Sequence, residues 1–166
     1  MSVIPANWNY KYSRTKGTSL TGGKEMGLVY AEIDLTNEDD LTLHRHGYLP
    51  EEKIRRVNCR ALVDTGAYDL VLNEEIRNQL GLFALEKNQV TLADERRIRV
   101  DMVGPVHIRF ENRTTTVKAV LMPDTSVVLL GAMPMQALRV YVDPVSERLV
   151  SWDNPTSQIR RVSLSI

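Results

Sequence analysis

The chain is poor in cysteine. Cys59 is the whole complement of its 166 residues. No disulfide can form within it, and a reducing compartment is the natural setting. Cys59 lies in an apolar run, where a buried and inert thiol is expected. Net charge is also lacking, since 21 basic side chains balance 21 acidic ones. A general nucleic-acid binder usually carries a basic surplus or stripe, so that partner is set aside. No stretch approaches the roughly 18 consecutive apolar residues of a membrane span. The opening MSVIPANWNYKYSRTKG has no continuous apolar core of the signal-peptide kind. The expectation is a cytoplasmic protein with neither nucleic acid nor membrane as a partner. Metal-ligand spacing is missing too. His44 and His46 flank Arg45 close to Glu38, Asp39 and Asp40, but without a recognisable ligand pattern, so a solvated loop and no metal are expected. Gly17 to Lys24 fails as a phosphate loop. Its spacing is off by one, Glu25 stands where a hydroxyl is needed, and no strand precedes it.

What is present fits one domain with extra ends. Residues 1–25 are polar and aperiodic, with Lys11, Arg14, Lys16 and Lys24 among the first 24 and no acid there. They read as a flexible arm: a leader, a pro-segment or an artefact. The domain is placed at 26–153 and a C-terminal tail at 154–166, where VSLSI alternates like a strand.

From residue 27 the pattern is rich in strands. LVYAEIDL alternates, TNEDDLTLHRHGYLPEEK (36–53) reads as a polar loop broken by Gly47 and Pro50, and RVNCRALVD is the next strand. Its end, Ala61-Leu62-Val63, does not alternate, so both faces are expected to be buried. YDLVL follows as a short strand. NEEIRNQLGL has every mark of a short helix: Asn73 as N-cap, Glu74 and Glu75 in the first turn, Ile76 and Leu80 on one face, and Gly81 past the end. Residues 88–123 read as a β-meander, with hairpin tips at Ala93–Arg96 and Glu111–Arg113. SVVLLGAMPMQAL is a strand, a glycine and a helical turn. RVYVDPVSERLVSW is a closing hairpin whose turn starts at Asp143-Pro144. The total is about eight strands and one or two short helices without a βαβ rhythm, so the class is mostly β and mostly antiparallel.

One residue disturbs this pattern. Asp64 ends a fully apolar run and is followed by Thr65, Gly66 and Ala67. Glycine permits a tight turn and a close approach of other backbone, and the threonine hydroxyl can bond a neighbouring main chain. The carboxylate is then either a functional group or a capping acid at a turn. About sixty residues later, Leu129-Leu130-Gly131-Ala132 leads into a helical turn, a weak internal echo without a second aspartate. Asp124-Thr125-Ser126 lacks the glycine and reads as a loop acid. Arg96, Arg97 and Arg99 read as a solvated face, and Trp152 as a packing residue.

These segments together resemble the retropepsin-like (retroviral-type, clan AA) aspartic proteases, in their small single-domain bacterial form, over residues 27–152. The carriers are Ala61 to Ala67, the helix at 73–82, VTLADERRIRV, and Val128-Leu129-Leu130-Gly131. The resemblance implies a closed antiparallel β fold and a homodimer. Each subunit would contribute one Asp64, and two carboxylates that close share one proton. One would activate a water and the other polarise the scissile carbonyl of a peptide or protein substrate, with no metal or organic cofactor. Thr65, Gly66 and Ala67 would support the site, and Leu129, Leu130 and Gly131 would form the second-half motif. A hairpin around Thr91–Arg99, with Leu92, Ala93, Asp94, Glu95 and Arg96 at its tip, would be the flap. Three departures stand against this. The flap has no glycine. Tyr68 and Ala132 replace an aspartate–arginine pair of the retroviral enzymes, and the termini do not match those that cement the retroviral dimer. The alternative reading is a catalytically silent peptide-binding or dimerisation module on the same fold.

Overall fold

The computed structural model describes residues 27–152. The expected arm and tail, with Trp8, the Gly17–Lys24 segment and the VSLSI strand, lie outside the described residues. The chain runs β1 (Tyr30–Asn37), α1 (Glu38–Arg45), a 3-10 turn (Glu51–Lys53), β2 (Arg56–Val63), β3 (Leu70–Leu72) and α2 (Glu74–Leu80). It continues through β4 (Phe83–Thr91), β5 (Arg97–Phe110), β6 (Arg113–Leu121), β7 (Val128–Leu130), α3 (Ala132–Leu138), β8 (Val140–Asp143) and β9 (Arg148–Ser151).

Six strands close into a barrel in the order β1-β2-β7-β3-β6-β5, and β5 returns to β1. The strand β4 hangs from β5 as a long hairpin, and β8 and β9 form a separate ribbon. Most pairings are antiparallel, as expected. Two are parallel, β2 with β7 and β3 with β6, and no helix-between-strands rhythm in the sequence announces them. Their residues are the uninterrupted apolar runs, which suits strands covered on both faces. Ala61, Leu70, Leu72 and Leu130 face the main core with Ile33, Leu35, Ile108 and Leu138. Leu62, Val71 and Leu129, on the opposite faces, join Leu92, Val100, Met102, Val120 and Met122 in a second, smaller core. That second core lies between the barrel and the β4–β5 hairpin. Near Gly104-Pro105 the register of β5 with β6 shifts between Val103 and Val106, so one long strand serves both barrel and hairpin.

The helix α2 forms as expected. Asn73 Oδ1 accepts from the Ile76 N–H at 2.8 Å, Ile76 and Leu80 are buried, and Gly81 takes the left-handed position at φ 62°. The meander extends further than expected, because β4 begins at Phe83. Its side chains are exposed but for Val90, which is half-buried, so no inward face leaves a period in the sequence. Trp152 packs at the surface. It keeps 57 % of its surface exposed and leans on Tyr141 at 4.8 Å between ring centroids. Cys59 is half-buried, and burial, aided by Glu32 and Asp34, pushes its thiol up to about 11. A thiol held protonated in this way is a poor nucleophile, although it is less buried than expected.

The loop expected over 36–53 is wrong at its start. Residues 38–45 are helical. Asn37 caps the helix by accepting from the Asp40 N–H at 3.1 Å and donates to the Leu80 carbonyl at 2.9 Å. Asp40 is buried and holds Arg55 through its Nε at 2.8 Å, a second guanidinium nitrogen at 2.8 Å and the backbone N–H at 3.0 Å. The signal was an N-cap, three acids in the first turn and basic residues in the last. It was masked by the polarity of the segment, which left no apolar period to find. The Arg55 side-chain hydrogen bond holds the Asp40 carboxyl below its ordinary value. A depressed carboxyl contributes stability that is complete above the unfolded pKa, about 3.9, and is lost as pH falls through the folded value. Asp40→Asn should therefore cost about 1–3 kcal/mol at pH 7 by leaving Arg55 poorly satisfied. In urea titrations, the gap from wild type should close below about pH 4.

Candidate active site

The strand β2 carries its apolar run up to Val63, whose N–H donates to the Val29 carbonyl at 2.8 Å. At the next residue the chain leaves the strand, because the Asp64 N–H turns to the Leu130 carbonyl at 3.0 Å. The turn closes through the Ala67 N–H on the Asp64 carbonyl at 3.1 Å, and the Gly66 N–H donates to Asp64 Oδ1 at 2.9 Å. The Asp64 side chain is thus oriented by its own loop, as an Asx-type turn would do.

The other half of the site straps this loop down. The Ala132 N–H donates to the Ala67 carbonyl at 2.8 Å, and the Met133 N–H to the Tyr68 carbonyl at 2.9 Å. Two N–H groups at the start of α3, which have no partner inside the helix, are satisfied in this way. Gly131 makes the approach possible. A Cβ there would collide with the Asp69 carbonyl oxygen and stand 2.8 Å from the Tyr68 carbonyl carbon and 2.9 Å from the Ala67 carbonyl oxygen. Leu129 and Leu130 are buried in β7. The Leu130 carbonyl and the close approach at Gly131 hold the Asp64 loop, and none of the three residues lines the cleft.

A cleft of about 420 Å³ opens over the loop. Asp64, Gly66, Ala67, Tyr68 and Asp69 form one side. Val71, Val120 and Met122 form an apolar wall, and Val90, Thr91, Leu92 and Ala93 close over it from the hairpin. The Asp64 loop and the candidate flap therefore face one space. Thr65 is exposed and lies outside the lining; its hydroxyl has no hydrogen-bond partner among the described residues. Tyr68 is 71 % exposed.

Of the five expected flap residues, Leu92 and Ala93 reach the cleft, while Asp94, Glu95 and Arg96 form the turn. The turn needs no glycine because Glu95 takes the left-handed position, at φ 67°. It is braced by the Arg96 N–H on Asp94 Oδ1 at 3.2 Å and by Arg96 Nε on Asp94 Oδ2 at 2.7 Å. Leu92 is 5 % exposed and is seated in the second core. The hairpin is anchored by an apolar side chain rather than hinged on glycines. Leu92→Ala should lower global stability by about 2 kcal/mol or more. It should also speed amide exchange across residues 88–99 more than in the barrel strands, as hydrogen-exchange mass spectrometry would read.

Asp69 is the residue the sequence reading passed over. The segment YDLVL reads as a strand, and the acid directly before its buried Leu-Val-Leu run is the counterpart of Asp64, which directly follows such a run. Asp124 lies in a turn outside the cleft lining.

A family model described as "gag-polyprotein putative aspartyl protease" matches residues 51–137, just over half of the chain. The match spans the Asp64 loop, the hairpin and the Gly131 strap. No curated protein matches the chain. With a closed six-stranded barrel carrying an Asp-Thr-Gly loop beneath a hairpin, and with this match, the chain belongs to the retropepsin-like aspartyl proteases of the gag-polyprotein family.

Proposed function

We propose that the protein is an aspartic endopeptidase that acts as a homodimer, with Asp64 and Asp64 of the partner subunit as its catalytic pair. The observation that carries this reading is the Asp64 carboxylate, fixed by the Gly66 N–H at 2.9 Å on the floor of a cleft roofed by a hairpin. One carboxylate takes a proton from a bound water. The other, protonated, polarises the scissile carbonyl and then helps to protonate the leaving amine. A single carboxylate cannot hold and accept the proton at once, so one Asp64 per chain calls for a second copy. The exposed Thr65 and Tyr68 beside Asp64 support this, because they leave the outer side of the loop open to another subunit. The substrate is an extended peptide held by main-chain hydrogen bonds beneath the hairpin, with Leu92 and Ala93 over it. The reaction uses no metal or organic cofactor.

A second reading, a catalytically silent peptide-binding or dimerisation module, is favoured by the braced turn at Asp94–Arg96 and the buried Leu92, which oppose flap opening. A peptide-library digest read by mass spectrometry, wild type beside Asp64→Asn, separates the two. Cleavage by wild type alone supports the peptidase. A dimer in sedimentation that cleaves nothing supports the module.

A further inference from the structure

The cleft holds one carboxyl group that the proposed chemistry leaves unused. Asp69 lies five residues beyond Asp64, at the entry to β3, and lines the same cavity. It is half-buried, and burial raises its carboxyl above the ordinary value with no cation to offset it. Three other aspartates have hydrogen-bond partners. Asp40 has Arg55, Asp34 has Asn58 and Arg109, and Asp143 has Ser146, and each of these carboxyls is held low. Among the described residues, Asp69 has no hydrogen-bond donor and no ion-pair partner. The cleft lining has no basic residue, and the wall beside Asp69 is aliphatic: Val71, Val90, Leu92, Val120 and Met122.

We propose that the cleft selects peptides in which a lysine or arginine side chain pairs with Asp69 while a neighbouring aliphatic side chain fills the apolar wall. The proposal rests on reading the cleft as peptide-binding and names the substrate class. A peptide bound there removes more water from an unpaired carboxylate, which is costly unless a donor replaces it. A cationic side chain provides that donor together with a charge, in a setting drier than bulk water. A neutral side chain provides neither, and an acidic one adds repulsion. Discrimination thus comes from the penalty on wrong peptides as much as from the new ion pair.

The test is retention of a positional octapeptide library in which each position in turn is lysine, arginine, norleucine or glutamate. It is read by mass spectrometry on Asp64→Asn protein and on the Asp64→Asn/Asp69→Asn double variant. At one position, lysine and arginine should be retained about tenfold over norleucine on Asp64→Asn, as expected for one charged hydrogen bond. The ratio should fall to about one on the double variant and return with Asp69→Glu in place of Asp69→Asn. Equal retention of lysine and norleucine peptides on Asp64→Asn overturns the proposal, whether or not the second variant folds. So does a preference that survives Asp69→Asn. Cleavage by wild type is read separately. Retention of lysine peptides without any cleavage would defeat the peptidase reading and uphold this one, whereas cleavage by wild type with no lysine or arginine preference in retention would uphold the peptidase and overturn this proposal.

Discussion

Asp64→Asn should remove at least about a thousandfold of peptide cleavage while the protein stays folded and associated. The substitution is nearly isosteric. The asparagine amide oxygen can still accept from the Gly66 N–H, which Asp64 Oδ1 receives at 2.9 Å, so the loop keeps its shape and stability should change by no more than about 1 kcal/mol. On the proposed mechanism, what is lost is the proton that two carboxylates share. Mixing gives a sharper test than the single variant. When wild type and Asp64→Asn are combined in equal amounts and allowed to exchange, about a quarter of dimers carry both carboxylates. Activity should fall to that level and not to one half. A fall to one half would mean that each subunit works alone, and the two-fold site would be wrong. Equal cleavage by wild type and Asp64→Asn would place the chemistry on another residue.

The turn at Asp64 was legible in the sequence because its local physics is one-sided, whereas its catalytic reading came from the family resemblance. An apolar run that needs burial on both faces leaves the position of Asp64 little choice: Ala61 and Leu62 are buried in two different cores, and the chain must turn where the first acid comes. The helix at 74–80 was legible for the same reason, since cap, stop and face all agree. The parallel pairings of β2 with β7 and β3 with β6 were not legible, because three-residue strands carry no directional signal of their own. Nor was α1, whose one buried anchor, Asp40, is polar and finds its partner fifteen residues away in Arg55. The role of Gly131 was half legible. Its place after an apolar run could be read, but its purpose lies in backbone from a segment some sixty residues earlier, which only the folded chain brings near.

That purpose predicts the second large effect. Gly131→Ala should destabilise the protein by about 3 kcal/mol, the upper part of the usual range for overpacking. For a chain of this length that is a fall of about 6–12 °C in Tm by calorimetry. The cause is not conformational freedom, since Gly131 sits at φ −85° and ψ −179°, which any residue can adopt. The cause is contact. The added methyl would meet backbone at Asp69, Tyr68 and Ala67, and backbone cannot rotate aside as a flexible side chain can. Relief requires that β7 and the Asp64 loop move apart. The bonds from Ala132 to Ala67 and from Met133 to Tyr68 would lengthen first, and Asp64 would shift with them. Activity should therefore fall more than the folded fraction does, even well below the Tm, because a displacement of about 1 Å at a positioned group can cost a hundredfold. Gly27→Ala is the matched control. A Cβ there would make only an ordinary contact with Glu147, at 3.6 Å, and stability should stay within about 0.5 kcal/mol of wild type. If Gly131→Ala melts and cleaves like Gly27→Ala, the strap between the two halves of the site does not hold Asp64 in place.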